Sequence, residues 1–356
     1  MIKEYSQASR DMMQTVHSVN QLAPFANSPA LAGYHCWSNS IAKIYTHYGL
    51  PLTEELLFGL GAGLGFLYWE QKGAPPFVGG RDNMKRFVQD IGGRTGVGAW
   101  EQSTSSASKA QKVMLAHLEQ QDPLMVRVDM GLLPYFDFPE EYHFGSHTIV
   151  ICGYDGEERV LISDMDQAAS GLKEGFYAPL TLDEIAAARG SRFKPFPPQN
   201  TYFEFDFASA RPPSAEDILA AIRQNTEGML HPPISNFGIK GIRRAAKEIA
   251  RWPNSFGEEE LRANLFMIYV MIEIGGTGGG IFRPMYARFL REAAGSMSQP
   301  VLNEAAALLD ASGSKFSAMA RLFESAYTQA PDSGAIARAS ALLVECAALE
   351  EEAFSL

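Results

Sequence analysis

The chain has 356 residues, 46% of them hydrophobic and 20% charged, with a net charge of −11 and three cysteines. That length exceeds what a single core serves, which predicts two domains, and the composition is that of a globular chain. The acidic balance excludes a nucleic-acid footprint, three widely spaced cysteines exclude a disulfide framework, and no apolar run reaches the ~18 residues of a membrane span.

The first segment, MIKEYSQASRDMMQTVHSVNQ, lacks the apolar core of a secretion signal, so a cytoplasmic location is expected. In YHCWSNSIAKIYTHYG, the residues Ile41, Ile44, Tyr45 and Tyr48 recur at helical spacing, and Gly49 and Pro51 supply a stop. The spacing predicts a helix over 37–48 with Cys36 at its N-terminus. Unsatisfied backbone N–H groups and the helix dipole favour a thiolate there, and the same N–H groups can serve an oxyanion.

Downstream, Thr53-Glu54-Glu55 starts a short helix, and GLGAGLGFLYW at 59–69 follows. With no preceding strand this is not a dinucleotide fingerprint. It is either a turn that needs close backbone approach or a loop lining an acyl channel, with Gly63 as the candidate. Gly79-Gly80-Arg81 with Asn83 either binds an anion or caps a helix at 82–91.

Residues 143–166, HFGSHTIVICGYDGEERVLISDMD, read as a β-hairpin. Asp155-Gly156 between β-branched runs signals a two-residue type I′ turn. That turn pairs Ile151 with Val160 and Ile149 with Ile162, and sets His147 opposite Asp164 on one face. A longer turn that slips the pairing by two residues puts Asp166 opposite His147 instead. Cys36, His147 and Asp164 thereby compose a nucleophile, its base and the orienter of the base, with Asp166 in reserve. His35 and His143 lie close enough in sequence to compete with His147. Cys152 alternates to the other face and Cys346 lies on an apolar helical pattern, so both read as core.

TYFEFDF, near residue 205, alternates as a strand, and the Ala- and Pro-rich stretch 208–214 marks a boundary after which the patterns turn helical. The expected division is an α+β domain with an antiparallel sheet at 1–208 and an all-helical domain at 214–356. In the second, Lys240, Arg244, Lys247 and Arg251 fall on one helix face, which is either solvated surface or a dock for an acidic carrier. The glycine loop 275–280, leading through Arg283 to Pro284, is either a phosphate cradle or a hinge. The seven histidines show no zinc spacing, so no metal is expected.

The stretch from YHCWSNS to FLYW, with GGRDNMKRFVQDIG, GSHTIVICGYD and LISDMD, resembles the N-terminal domain of the butirosin-biosynthesis protein H family. GIRRAAKEIARW and IEIGGTGGGIFRPMYARFLREAA resemble the uncharacterised domain that often follows it. The resemblance implies a papain-like or leader-peptidase-like cysteine fold that moves an acyl group from a carrier-protein phosphopantetheine thioester to an amine. On the matching positions Cys36 is the nucleophile, His147 the base and Asp164 the orienting acid. The glutamine such enzymes carry shortly before the cysteine is missing, leaving Asn27, His35 and Asn39 as candidate oxyanion donors.

The expected function is acyl transfer through an acyl-enzyme, with no cofactor beyond the phosphopantetheine of a carrier-bound donor. The expected partners are an acyl-carrier protein and a small-molecule amine, with neither nucleic acid nor membrane. A hydrolase uses the same residues with water as acceptor, and a non-catalytic binding protein with a relic site is the alternative from another class.

Overall fold

In chain order the elements begin with α1 (Cys36–His47), α2 (Glu54–Leu60) and the hairpin β1 (Leu64–Gln71) and β2 (Ala74–Arg81). Helix α3 (Phe87–Thr95) leads to β3 (Gly98–Gln102), α4 (Ala107–Glu119) and β4 (Leu124–Val128). Strands β5 (His147–Tyr154), β6 (Arg159–Met165) and β7 (Gly175–Thr181) precede α5 (Leu182–Gly190) and β8 (Tyr202–Asp206). The remainder is helical: α6 (Ala215–Leu230), α7 (Gly238–Ile249), α8 (Glu258–Tyr269), α9 (Arg283–Met297), α10 (Val301–Arg321) and α11 (Ser333–Ala353). This computed structural model describes residues 22–71, 74–81, 85–166, 171–194, 196–326, 328–329 and 333–356. Among them, no helix is long and apolar enough to cross a membrane.

The chain divides into two compact units, one joining residues up to Glu54 with Thr95–Pro212, the other joining Glu55–Arg94 with Pro213–Leu356. In the first, an antiparallel sheet runs in the order β3-β8-β4-β5-β6-β7. One face buries Val126, Ile149, Ile151, Val160 and Ile162 against Met114 and Leu118 of α4 and Ile185 of α5. Burial of such aliphatic side chains is worth about 1.5–3 kcal/mol each before the entropy of ordering them is counted.

The second unit differs from the all-helical domain expected over 214–356, because residues 55–94 belong to it and bring a β-hairpin. The reason lies in the backbone groups of β1. Asn225 bonds both the N–H and the C=O of Leu64, and Tyr68 exchanges hydrogen bonds with Asn236. The Gly65 carbonyl accepts from Arg283. Backbone groups buried away from water must find partners, and for β1 many of those lie in the C-terminal half. The glycines of 59–65 serve close packing within this unit. A Cβ on Gly59 would lie 2.3 Å from the Phe289 ring, and one on Gly63 would lie 2.8 Å from Phe58.

Candidate active site

Helix α1 starts at Cys36, with His35 as N-cap accepting the Ser38 N–H. As the first helical residue, Cys36 has a backbone N–H with no partner inside the helix. The approach to the helix is clamped by Glu54, a buried carboxylate absent from the expectations. It accepts from the Tyr34 N–H at 2.8 Å, the His35 N–H at 2.7 Å and the Ser38 hydroxyl at 3.0 Å. Trp37 Nε1 donates to the Ser146 carbonyl at 3.0 Å and the Ser40 hydroxyl to the Thr148 carbonyl at 3.2 Å. These two bonds straddle His147 and fix the start of α1 beside the start of β5.

His147 and Asp164 are each 1% exposed and joined by hydrogen bonds from His147 Nε2 to Asp164 Oδ1 at 3.0 Å and Oδ2 at 2.8 Å. The partnership is the first-choice one, but it forms in the alternative register, with the longer turn that slips the pairing by two residues. The strands pair Tyr154 with Val160 and Gly153 with Leu161, then Ile151 with Ile162 and Val150 with Ser163 across a bulge. No two-residue type I′ turn forms. The Asp155 carboxylate accepts three successive N–H groups, from Glu157, Glu158 and Arg159, and the Asp155 N–H bonds the Arg159 carbonyl, so the loop is wider. Continued to the strand end, this register sets Asp166 level with His147 and makes Asp164 the diagonal neighbour. Diagonal pairs lie about 7–8 Å apart, a span that the far ring nitrogen can bridge.

Cys36 hydrogen-bonds the His147 ring, and with Nε2 committed to Asp164 the thiol has Nδ1. Burial pushes the imidazole down, but the Asp164 charge, the hydrogen bond to it and Cys36 together outweigh this and raise it to about 10. Burial likewise works against the Asp164 carboxylate, yet His147, Lys43 and the Met165 N–H hold it below the ordinary range. Tyr135 completes the carboxylate's shell, its hydroxyl donating to Oδ2 at 2.9 Å. Lys43, one of the buried residues of α1, is pushed down to about 8 by burial, against Asp164, Cys152, Glu54 and Cys36. The signal for it in the sequence was a lysine in a helix whose other positions are mostly apolar or small.

The other candidates fall elsewhere. Asn27 is exposed in a turn at φ 59°. Asn39 is buried, its Nδ2 donating to the carbonyls of Leu31 and Ala32, both at 3.2 Å. His143 bonds Asp129, which also accepts from Ser191, Gly131 and Phe144, so this histidine braces a loop. Gly63 and Arg283 lie in the second unit. Arg283 is wholly buried, paired with Glu350 through Nε at 2.8 Å and bonded to the carbonyls of Gly65 and Ile281, which leaves no fork for a phosphate. The basic stripe is also broken. Lys240 and Lys247 are exposed, Arg244 bonds Asn236, and Arg251 lies past the end of α7 beside Glu248. Arg81 stands over the Phe87 ring, and Asn83 lies outside the described residues.

Two families match the chain: butirosin biosynthesis protein H, N-terminal, over residues 35–165, and a domain of unknown function (DUF4872) over 183–356. Over residues 35–165 the chain is similar to the butirosin biosynthesis protein H family. The N-terminal match opens at His35 and closes at Met165, so it spans Cys36, His147 and Asp164 together. A search of the curated proteins finds no match.

The setting of the three thiols predicts their order of reaction. Burial pushes Cys152 and Cys346 up to about 12, whereas Cys36 is partly exposed at a helix N-terminus beside His147. At neutral pH iodoacetamide is expected to label Cys36 first, as peptide mapping over a time course will read; equal labelling of all three would contradict it.

Proposed function

We propose that this protein is a papain-like cysteine acyltransferase that moves an acyl group from a carrier-protein thioester to an amine. The observation that carries the proposal is the hydrogen-bonded run from Cys36 at the start of α1 through His147 to Asp164. A cysteine-bearing helix laid on an antiparallel sheet that presents the histidine agrees with a papain-like arrangement. The matching family is named for butirosin biosynthesis, which agrees with a role in making a secondary metabolite.

In the proposed cycle the Cys36 thiolate attacks the thioester carbonyl, whose π electrons move to oxygen. Collapse of that oxyanion expels the carrier thiolate, which takes the proton from the His147 imidazolium. The acyl group is left on Cys36. The now neutral His147 accepts a proton from the attacking amine, a second oxyanion collapses, and the thiolate returns as the amide leaves. Asp164 holds the imidazole in orientation and keeps its protonated form favoured.

Intact-mass measurement after incubation with a panel of carrier-bound and free acyl thioesters tests the proposal. The expected result is an acyl adduct on Cys36 that disappears on adding an amine. An adduct discharged only by water makes the protein a hydrolase, and no adduct with any donor leaves a non-catalytic protein.

A further inference from the structure

No glutamine stands in the stretch 27–35 before Cys36, and two of the three candidate donors are committed elsewhere. Asn27 is exposed. The ring of His35 caps α1 through Ser38. Asn39 spends its donor nitrogen on two backbone carbonyls, and its oxygen, an acceptor, has no attraction for an oxyanion.

One strong donor does reach this place. Lys173 forms an antiparallel bridge with Gly33, its N–H donating to the Gly33 carbonyl at 2.7 Å and its carbonyl accepting the Gly33 N–H at 2.9 Å. Gly33 is pressed into the base of α1: a Cβ there would lie 2.3 Å from Asn39 Nδ2, 2.5 Å from Glu54 Oε2 and 2.8 Å from Met165 Sδ. The bridge therefore delivers Lys173 beside the turn that carries Cys36, and its side chain is 1% exposed. Burial holds the Lys173 ammonium below its ordinary range, and Cys36 heads the groups that support its charge, ahead of Asp164, Asp166 and Glu54. A buried ammonium is costly unless paired, so this cation is held for the anions around it.

We propose that Lys173 is the charged donor of the oxyanion hole, acting with the backbone N–H of Cys36. The inference rests on the thiol chemistry proposed above. In the resting enzyme the negative charge that Lys173 faces is on sulfur. Acylation removes that charge, and in each tetrahedral stage it reappears on the carbonyl oxygen, two bonds from the sulfur. A cation on the residue that the Gly33 bridge places beside the Cys36 turn would thus meet charge that develops in both transition states and is absent from the acyl-enzyme, which is the condition for lowering a barrier.

Two probes that do not depend on the natural donor separate this role from simple support of the thiolate. 4-Nitrophenyl acetate acylates a thiol through a tetrahedral oxyanion, while iodoacetamide alkylates it by displacement without one. In Lys173→Met, acylation of Cys36 is expected to fall by a factor on the order of 10² to 10³. Alkylation should fall less than acylation at neutral pH, and both defects should shrink in alkali, where the thiolate is complete and the wild-type ammonium, lowered by burial, gives up its proton. Lys173→Gln is read by the same ratio in parallel, so that a folding failure of one variant, seen by circular dichroism, leaves the other to decide. Acylation at the wild-type rate, or equal losses on both probes at every pH, overturns the assignment. A wild-type chain that 4-nitrophenyl acetate does not acylate at Cys36 overturns this inference and the proposed function alike. A chain that accepts no carrier thioester yet shows the selective loss refutes only the transferase.

Discussion

Asp164→Asn is expected to slow the proposed acyl transfer by a factor on the order of 10² or more while the fold survives. The wild-type carboxylate accepts from His147 Nε2, the Tyr135 hydroxyl and the Met165 N–H. An amide has one oxygen for these donors and turns its own N–H₂ toward another, so the imidazole loses its orienter. It also loses the charge that outweighs burial. The His147 imidazolium, raised to about 10 in the wild type, should titrate far lower in the variant, and the alkaline limb of the pH profile should move down with it. The sign for stability follows. A histidine whose folded pKa is raised adds stability that is complete below its unfolded value of about 6.5 and is lost as pH rises to about 10. Thermal melts of wild type and variant should therefore differ most at and below neutral pH and converge toward pH 10. Asp166→Asn, at the position level with His147, should leave rate and limb nearly unchanged; the reverse ranking would transfer the orienting role to Asp166.

The largest stability effect is expected at Glu350. Both it and Arg283 are 0% exposed, paired through two contacts of 2.8 and 3.0 Å, with the Ser312 hydroxyl donating to the same carboxylate at 2.6 Å. Glu350→Ala strands a guanidinium that cannot shed its proton, and should cost about 3–5 kcal/mol in denaturant unfolding. Arg283→Met leaves the Glu350 carboxylate the Ser312 hydroxyl as a donor, so the loss should be smaller. The double variant Arg283→Met with Glu350→Leu should recover most of it, since apolar replacement of a buried pair is often neutral. A double variant no better than the worse single one would show that the bonds from Arg283 to the Gly65 and Ile281 carbonyls matter more than the pair.

How much of this was legible in the chain differs by the range of the interaction. Cys36 at a helix start and the pairing of His147 with Asp164 follow from patterns within short segments, and both appear in the structure. The register error came from one side chain. Asp155 accepts three N–H groups and widens a loop that Asp-Gly alone would close in two residues, and the bulge then takes back one residue of the shift, leaving a slip of two. Glu54 and Lys173 were invisible because their roles depend on chain segments remote from them, at Tyr34–Ser38 and at Gly33. Arg283 misled for the same reason. A glycine loop with an arginine at a helix start matches an anion site, and only the distant Glu350 and Gly65 show where its donors go.

The excursion of residues 55–94 into the second unit also sets an order of assembly. During synthesis the β1–β2 hairpin emerges with Leu64, Phe66 and Tyr68 needing cover, while Asn225, Asn236, Arg283 and Phe316, which bond or stack against that strand, are still to be made. The nascent chain must therefore carry an incomplete apolar hairpin past the point at which the unit bearing Cys36 has all its strands. A fragment ending at Pro212 would retain that hairpin for good, whereas one that also replaces 55–94 by a short linker removes the orphaned surface.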